Sequence, residues 1–446
     1  MYNCVWEAKT VNIKKLLCIA LSCLTVLTLC GCDFFTVDTD LLLSPPQLSG
    51  DMFPISRALS ASVKGEYTLK YPAAGEHRSA IMLEDIDADG SFEAFAFYST
   101  KADEQTRMHI NVIRCRDGEW YSAAEQSLAA GGVERVVFSD LDGDGIEEIL
   151  VGWEIYGSSE KQLAVYSLID GVMTQRMSER YSGFICCDLN GDGKQEIFID
   201  WLDTVQASHR AVLYAINSDG VSQIAGCMLD GAVKTVSEPI AAPLSNGQPA
   251  VYIDGIKGVG AITEVVFVSK TELVNPLLDQ ETTLENTATL RAAALRTTDI
   301  NGDGTLEIPV AGDLPSADGS GEKMYYTNWC SFNGERLTTK LVTISNTLDG
   351  YYITPPPSWV GSIAVLKDVD ARERTIYAFN RETGEAGAML ARFKAIDKGK
   401  YKTDDYAGWD ELARTDDTVY LGMAVKSDSS LGIETQELKS IFTLSH

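Results

Sequence analysis

The apolar positions of this chain fall in short runs broken by polar, glycine-bearing turns, and the residue types in those runs set the element class. FEAFAFY, EEILVGW, QEIFIDW and LEIPVAG are rich in β-branched and aromatic residues and lack a helical period, so each predicts a strand. Similar pieces surround them. VERVVFSD, EEILVGW, QLAVYSLIDG and MTQRMSERY follow one another in one stretch, and GFICCD, QEIFIDW, AVLYAINSDG and SQIAGCML in the next. Helical spacing is confined to a few places. Met52, Ile55, Leu59 and Val63 predict a short helix with Asp51 as N-cap and Pro54 in its first turn. Far along the chain, TQELKSIFTLS places Leu438, Ile441 and Phe442 at helical spacing, and TDDYAGWDELAR offers a helix start.

Four of the strand runs open from one type of loop. Asp140, Asp142 and Asp144 stand at positions one, three and five, Gly145 at six and Glu148 at nine. That spacing lets alternate side chains converge on one hard cation, with the backbone carbonyl of Ile146 as a further oxygen, while Gly145 allows the sharp turn. The pattern recurs as Asp85, Asp87, Asp89, Gly90, Ser91 and Glu93, then as Asp188, Asn190, Asp192, Gly193, Lys194 and Glu196. It returns once more as Asp299, Asn301, Asp303, Gly304, Thr305 and Glu307, with Ser91, Lys194 and Thr305 at the carbonyl position. In an EF-hand the loop is flanked by helices and the bidentate Glu comes at position twelve. Here strands follow, so the loop is expected to cap a hairpin. Calcium is the expected cofactor, about four ions acting as staples, and acidic Asx-type turns without metal are the alternative.

The loops begin at 85, 140, 188 and 299, and the last interval is about twice the others. PLSNGQPAVYIDG, Pro243 to Gly255, fills it with a turn and a strand run but no loop acids, so no metal is expected there. Units of this length with four strands each imply an all-β chain, a β-propeller of four-stranded blades. Five blades fit, a sixth could form from the first strand and the region after KMYYTNWCSFNG, and seven are allowed. From about Asp349 the repeat fades, and strand-like ERTIYAFN, AMLARFKAI and TVYLGMAV with the helical TQELKS predict a small α+β domain. Asp368 and Asp370 echo the loop there, but Glu373 and Arg374 replace its glycine turn, which reads as a solvated turn.

The loop and the apolar strand after it resemble the FG-GAP or VCBS-type repeat of integrin-like propellers. LLLSPPQLSG, TLKYPAAGEHRSA and the repeats together resemble clostridial-type surface lipoproteins that carry VCBS repeats, over roughly residues 32 to 340. The resemblance implies calcium held at the blade edges for stability. It implies no activity.

Lys14 and Lys15 precede an apolar run from Leu16 to Leu29 that ends in Cys30, Gly31 and Cys32, the layout of a secretory signal. The LCGC ending resembles a lipobox, which implies acylation of the Cys32 thiol and cleavage before it. A plain cleaved signal or a single membrane helix is the alternative, though the run is short for a span, which takes about 20 residues. The expected organisation is a signal over 1–31, a tether over 32–50, the helix and propeller over 51–345 and the α+β domain over 346–446. A membrane is then a partner through the anchor, and the chain faces outward.

Charge and cysteine usage narrow the function classes. A formal net charge of −27 excludes a nucleic-acid or anionic-membrane binder on electrostatic grounds. Of ten cysteines, four leave with the signal and Cys32 is acylated, so 10 − 4 − 1 = 5 remain, an odd number that argues against a disulfide framework. His77, His109, His209 and His446 sit in no catalytic motif, and no phosphate-binding glycine loop occurs. Trp120, Trp153, Trp201 and Trp329 fit inter-blade core better than a carbohydrate face. The expected function is a lipid-anchored, extracytoplasmic calcium-binding propeller that binds a protein or glycan partner, and more a binder than an enzyme. A propeller-fold polysaccharide lyase or hydrolase, or an envelope structural protein, is the alternative. An acid and arginine cluster in the central channel, away from the metal loops, would favour the enzyme.

Overall fold

A computed structural model of the chain describes residues 52–445, apart from 104, 105, 170, 218, 219, 280, 282 and 319–323. The signal, the tether, Cys32 and the Asp51 cap lie outside the described residues. The chain divides into two compact units, Met1–Ala58 and Leu59–His446. The predicted helix is present as Phe53–Ser62.

The second unit is a β-propeller. Among the described residues it holds six antiparallel sheets, blades one to six in chain order, and all but the fifth are built from consecutive stretches of chain. They cover 67–128, 132–181, 183–229, 235–274, 308–353 and 363–424, and the fifth gains a strand from Phe442–Leu444. The second and third blades use the four strand runs read from the sequence.

Why the runs are continuously apolar follows from the stacking. In strand Glu148–Glu154, Ile149 and Val151 enter the core shared with the first blade, while Leu150 enters the core shared with the third. A strand alternates its faces, so one buried on both faces needs apolar residues at every position. The same sharing joins the third blade to the fourth through Phe198 and Val251, and the fourth to the fifth through Tyr252 and Ile308. Outer strands relax the pattern. Glu119–Leu128 has no fully buried residue and alternates exposed and half-buried positions except at Ala123.

Inner strands converge across blades. Arg135 of the second blade pairs with Glu238 of the fourth, and a Cβ on Gly183 of the third would lie 2.6 Å from Pro239 Cδ. The turn expected to carry no metal is a tight one, closed by the Leu244 amide donating to the Gln248 carbonyl at 2.8 Å.

Four expectations are corrected. Residues 346–446 do not form a separate α+β domain, because 363–424 make the sixth blade and Leu314, Tyr326 and Ile344 of the fifth share one core with Ile363, Val365 and Ile376 of the sixth. The sixth blade therefore comes from this region and not from the first strand, as Tyr67–Leu69 pairs within the first blade. The helix in TQELKSIFTLS ends at Ile441, and Phe442–Leu444 pairs with Tyr351–Ile353. Glu434 and Glu437 start that helix with a capping box, but the aromatic and β-branched FTL stretch gains more as a sheet strand. TDDYAGWDELAR gives a 3₁₀ turn over Thr403–Tyr406 and then strand Asp410–Arg414.

Candidate metal centre

All four loops cap hairpins in one register. The residue before position one pairs with the glutamate at position nine as Glu84 with Glu93, Ser139 with Glu148, Cys187 with Glu196 and Thr298 with Glu307. Position nine is thus where the strand turns inward, and Glu93, Glu148, Glu196 and Glu307 are all buried. Each is held by the amide at position two: Ile86 at 3.4 Å, Leu141 at 3.1 Å, Leu189 at 2.9 Å and Ile300 at 3.3 Å donate to the Oε2 atoms.

The rest of each loop wraps its first aspartate. Asp140 accepts from the Gly143 amide at 2.7 Å and the Gly145 amide at 3.0 Å, and Asp188 and Asp299 repeat this with Gly191 and Gly193 and with Gly302 and Gly304. The glycine at position six is left-handed in each, with φ of +87° at Gly90, +89° at Gly145, +91° at Gly193 and +85° at Gly304. At position five, Asp89, Asp144, Asp192 and Asp303 accept the amides of Ser91, Ile146, Lys194 and Thr305.

Carboxylates converge as a hard cation requires. Oxygens of Asp85, Asp87 and Glu93, of Asp140, Asp142 and Glu148, and of Asp188, Asp192 and Glu196 each lie within 4.8 Å of one another. These clusters can hold a metal ion. In the fourth loop Asp299, Asp303 and Glu307 keep the third loop's hydrogen bonds without reaching that convergence. Asn190 Nδ2 donates to Glu196 Oε1 at 2.6 Å, and Asn301 Nδ2 to Glu307 Oε1 at 3.2 Å. In both loops a cation would need the amide turned, so that its oxygen replaces its nitrogen. Burial raises the pKa of Glu93, Glu196 and Glu307 and pushes that of Glu148 up to about 6, since a carboxylate out of water without a counter-charge favours its neutral form.

The first loop differs from the others in two ways the motif does not reveal. Position four is Ala88 at φ +53°, where the other loops have glycine. The Arg114 guanidinium sits on the acids: Nε donates to Glu93 Oε1 at 3.0 Å and Nη2 pairs with Asp87. Arg114 lies on the neighbouring strand one step beyond the Ala94–Ile113 pair, opposite Glu93. The equivalent positions are Ser167, Ala215 and Ser331, one step beyond the pairs Ile149–Tyr166, Ile197–Tyr214 and Ile308–Cys330. Ser167 Oγ donates to Glu148 Oε1 at 3.0 Å and accepts from Arg176 Nη1 at 3.3 Å. The first three loops also touch, through the Glu147 amide on the Ile86 carbonyl at 2.7 Å and Lys194 Nζ on the Asp142 carbonyl at 2.5 Å.

No family model matches the chain, and no curated protein does. Among solved structures it is similar to a rhamnogalacturonan lyase from Bacillus licheniformis at 13% identity and a TM-score of 0.31, covering 73% of this chain and 77% of that one. A periplasmic gluconolactonase from Pseudomonas aeruginosa follows at 14% and 0.29, covering 72% and 87%, and an exotype rhamnogalacturonan lyase at 12% and 0.30, covering 73% and 84%. These likenesses are too distant to carry an activity across.

A second charged cluster lies at the strand ends away from the loops. Buried Glu134 accepts from Arg135 Nε at 2.9 Å, Lys161 Nζ at 3.0 Å and the Tyr181 hydroxyl at 2.8 Å, and Arg135 also reaches Glu238. Burial pushes the Glu134 carboxyl up, but those three donors outweigh it and hold the pKa below its ordinary value. Nothing in the local sequence VERVV marks this, because Lys161, Tyr181 and Glu238 arrive from elsewhere in the chain. Of the histidines, His109 bonds Asp103 and Glu125 at 2.9 and 2.8 Å, and fully buried His209 meets Asp200 at 3.2 Å. Trp153 is fully buried and Trp329 nearly so. Cys115, Cys186, Cys187, Cys227 and Cys330 are all free thiols, and burial pushes Cys186, Cys187 and Cys227 up to about 12. No helix among the described residues is long and apolar enough to cross a membrane.

Proposed function

We propose that this chain is a calcium-stapled β-propeller, anchored through acylated Cys32 on the outer face of a membrane, that presents a surface to a protein or glycan partner. The observation that supports the staple is the shared hairpin register of the four loops, each burying its position-nine glutamate beside two or three further carboxylates. Calcium suits that all-oxygen donor set, and its charge would lower the cost of the buried acids. The ligands would be Asp85, Asp87, Asp89 and Glu93, Asp140, Asp142, Asp144 and Glu148, Asp188, Asn190, Asp192 and Glu196, and Asp299, Asn301, Asp303 and Glu307. The carbonyls of Ser91, Ile146, Lys194 and Thr305 complete the sets. In the first loop calcium competes with Arg114.

The test is a bound-calcium count together with thermal unfolding in EDTA and in millimolar calcium. At tenfold excess over Kd each site adds about 1.4 kcal/mol. Three or four ions and a clear upward shift are expected, and no ions with no shift sinks the staple. Release of the chain from membranes by Cys32→Ser checks the anchor.

An enzymatic reading is favoured by one observation, the Glu134, Arg135 and Glu238 cluster remote from the loops. Turnover of acidic polysaccharide that disappears in Glu134→Gln without loss of folding would establish it. No turnover leaves the cluster as a lock between inner strands.

A further inference from the structure

A cavity of about 410 Å³ lies between the fifth and sixth blades, lined by Arg374, Lys367, Tyr351 and Asn346 and by apolar groups that include Ile353 and Val369. Strand Glu373–Asn380 turns Ile376 into the core shared with the fifth blade, and strand alternation puts Arg374 on that same face. A guanidinium there breaks the pattern. Arg374 is only 6% exposed, and its hydrogen bonds among the described residues are to the Glu373 carbonyl at 3.1 Å and Asn346 Oδ1 at 3.4 Å.

Among the described residues no carboxylate bonds to it. Glu373 is engaged by Arg392 at 2.6 Å and Lys394 at 3.3 Å, and Asp349 is paired to Arg372 at 2.6 Å. The hydroxyl of buried Tyr351 makes no hydrogen bond among the described residues. A buried charge without a counter-charge is strongly destabilising, and positions that break the core pattern at such a cost are expected at functional sites.

We propose that this cavity binds an organic ligand through a carboxylate received by Arg374, with the ligand's body against the apolar wall. One guanidinium without a counter-charge matches one negative charge, and its planar donors fit a carboxylate edge-on. The volume suits a sugar acid or a small aromatic acid. The site is separate from the metal loops and does not depend on their occupancy.

Calorimetric titration of the purified full chain would use galacturonate and phenylacetate, with galactose, phenylethanol and inorganic phosphate as counterparts. The expected result is one carboxylate bound per chain, weakened at least about tenfold in Arg374→Met, since a hydrogen bond to a charged group carries about 1.5–3 kcal/mol. Arg374→Met should keep or raise Tm, because an apolar side chain of similar length replaces an uncompensated charge. Whichever of the two acids binds more tightly identifies the body. Absence of carboxylate binding, equal binding of the neutral counterparts, tighter binding of phosphate, or unchanged affinity in Arg374→Met would each overturn the site. Ala293→Trp, which fills the cavity wall, should abolish binding as well, so the proposal stays testable if Arg374→Met does not fold.

Discussion

Single side chains decide which loop charge is met from inside the protein. Arg114 already supplies a cation to Asp87 and Glu93, so Arg114→Ser, which copies Ser167, should raise the calcium affinity of the first loop about tenfold and leave the other loops unchanged. Calorimetry on single-loop knockouts would separate the sites. Ala88 holds φ +53° where the other loops have glycine, so Ala88→Gly should stabilise the chain by about 1 kcal/mol in a denaturant melt. Glu148 carries a pH signature in the metal-free chain. Its pKa is raised by burial to about 6 against an ordinary 4.5, so the folded state keeps a proton that the unfolded state releases. Stability is fully present below about pH 4.5, falls as pH rises to 6, and stays lower above it, by about 2 kcal/mol. Glu93, Glu196 and Glu307 are raised too and act in the same direction, so melts in EDTA at pH 4.5 and 7 should show a smaller loss in Glu148→Gln than in the native chain, and saturating calcium should remove the loss in the native chain.

At the scale of elements, the capped hairpin was legible because its parts are local. The acids, the glycine and the strand that follows lie within about fifteen residues of one another, and the turn geometry follows from them. Strand Phe442–Leu444 was not legible in this way. Leu438, Ile441 and Phe442 satisfy a helical period, yet Phe442 packs on Tyr351, Phe393 and Tyr420 from blades five and six. Phe442→Ala should cost about 2–3 kcal/mol and lower the unfolding midpoint cooperatively, since the strand ties two blades together. An unchanged midpoint would mean the strand only decorates the fifth blade. The connection before the fifth blade was equally hidden. Arg291 reaches back to Asp254 at 3.0 Å, and Thr297 bonds the same carboxylate, in a stretch whose sequence is unremarkable alanine, threonine and leucine.

For the whole molecule, each pair of successive blades shares a core, so destabilising one loop should be felt by its neighbours. The second and third loops are linked through Lys194 on the Asp142 carbonyl, and Lys194→Ala should raise calcium affinity at the second loop although no side-chain ligand there changes, because it removes a cation beside that site. The strands, the four acidic loops and the blade as repeating unit could be read along the chain, because hydrophobic period and turn chemistry are properties of neighbouring residues. Blade count, the membership of residues 363–424 in the propeller, the Arg114 counter-ion and the lone guanidinium of Arg374 were decided only by tertiary structure. Each depends on which strand lies opposite which, and a charge is compensated or stranded only by groups that the fold brings from distant parts of the chain.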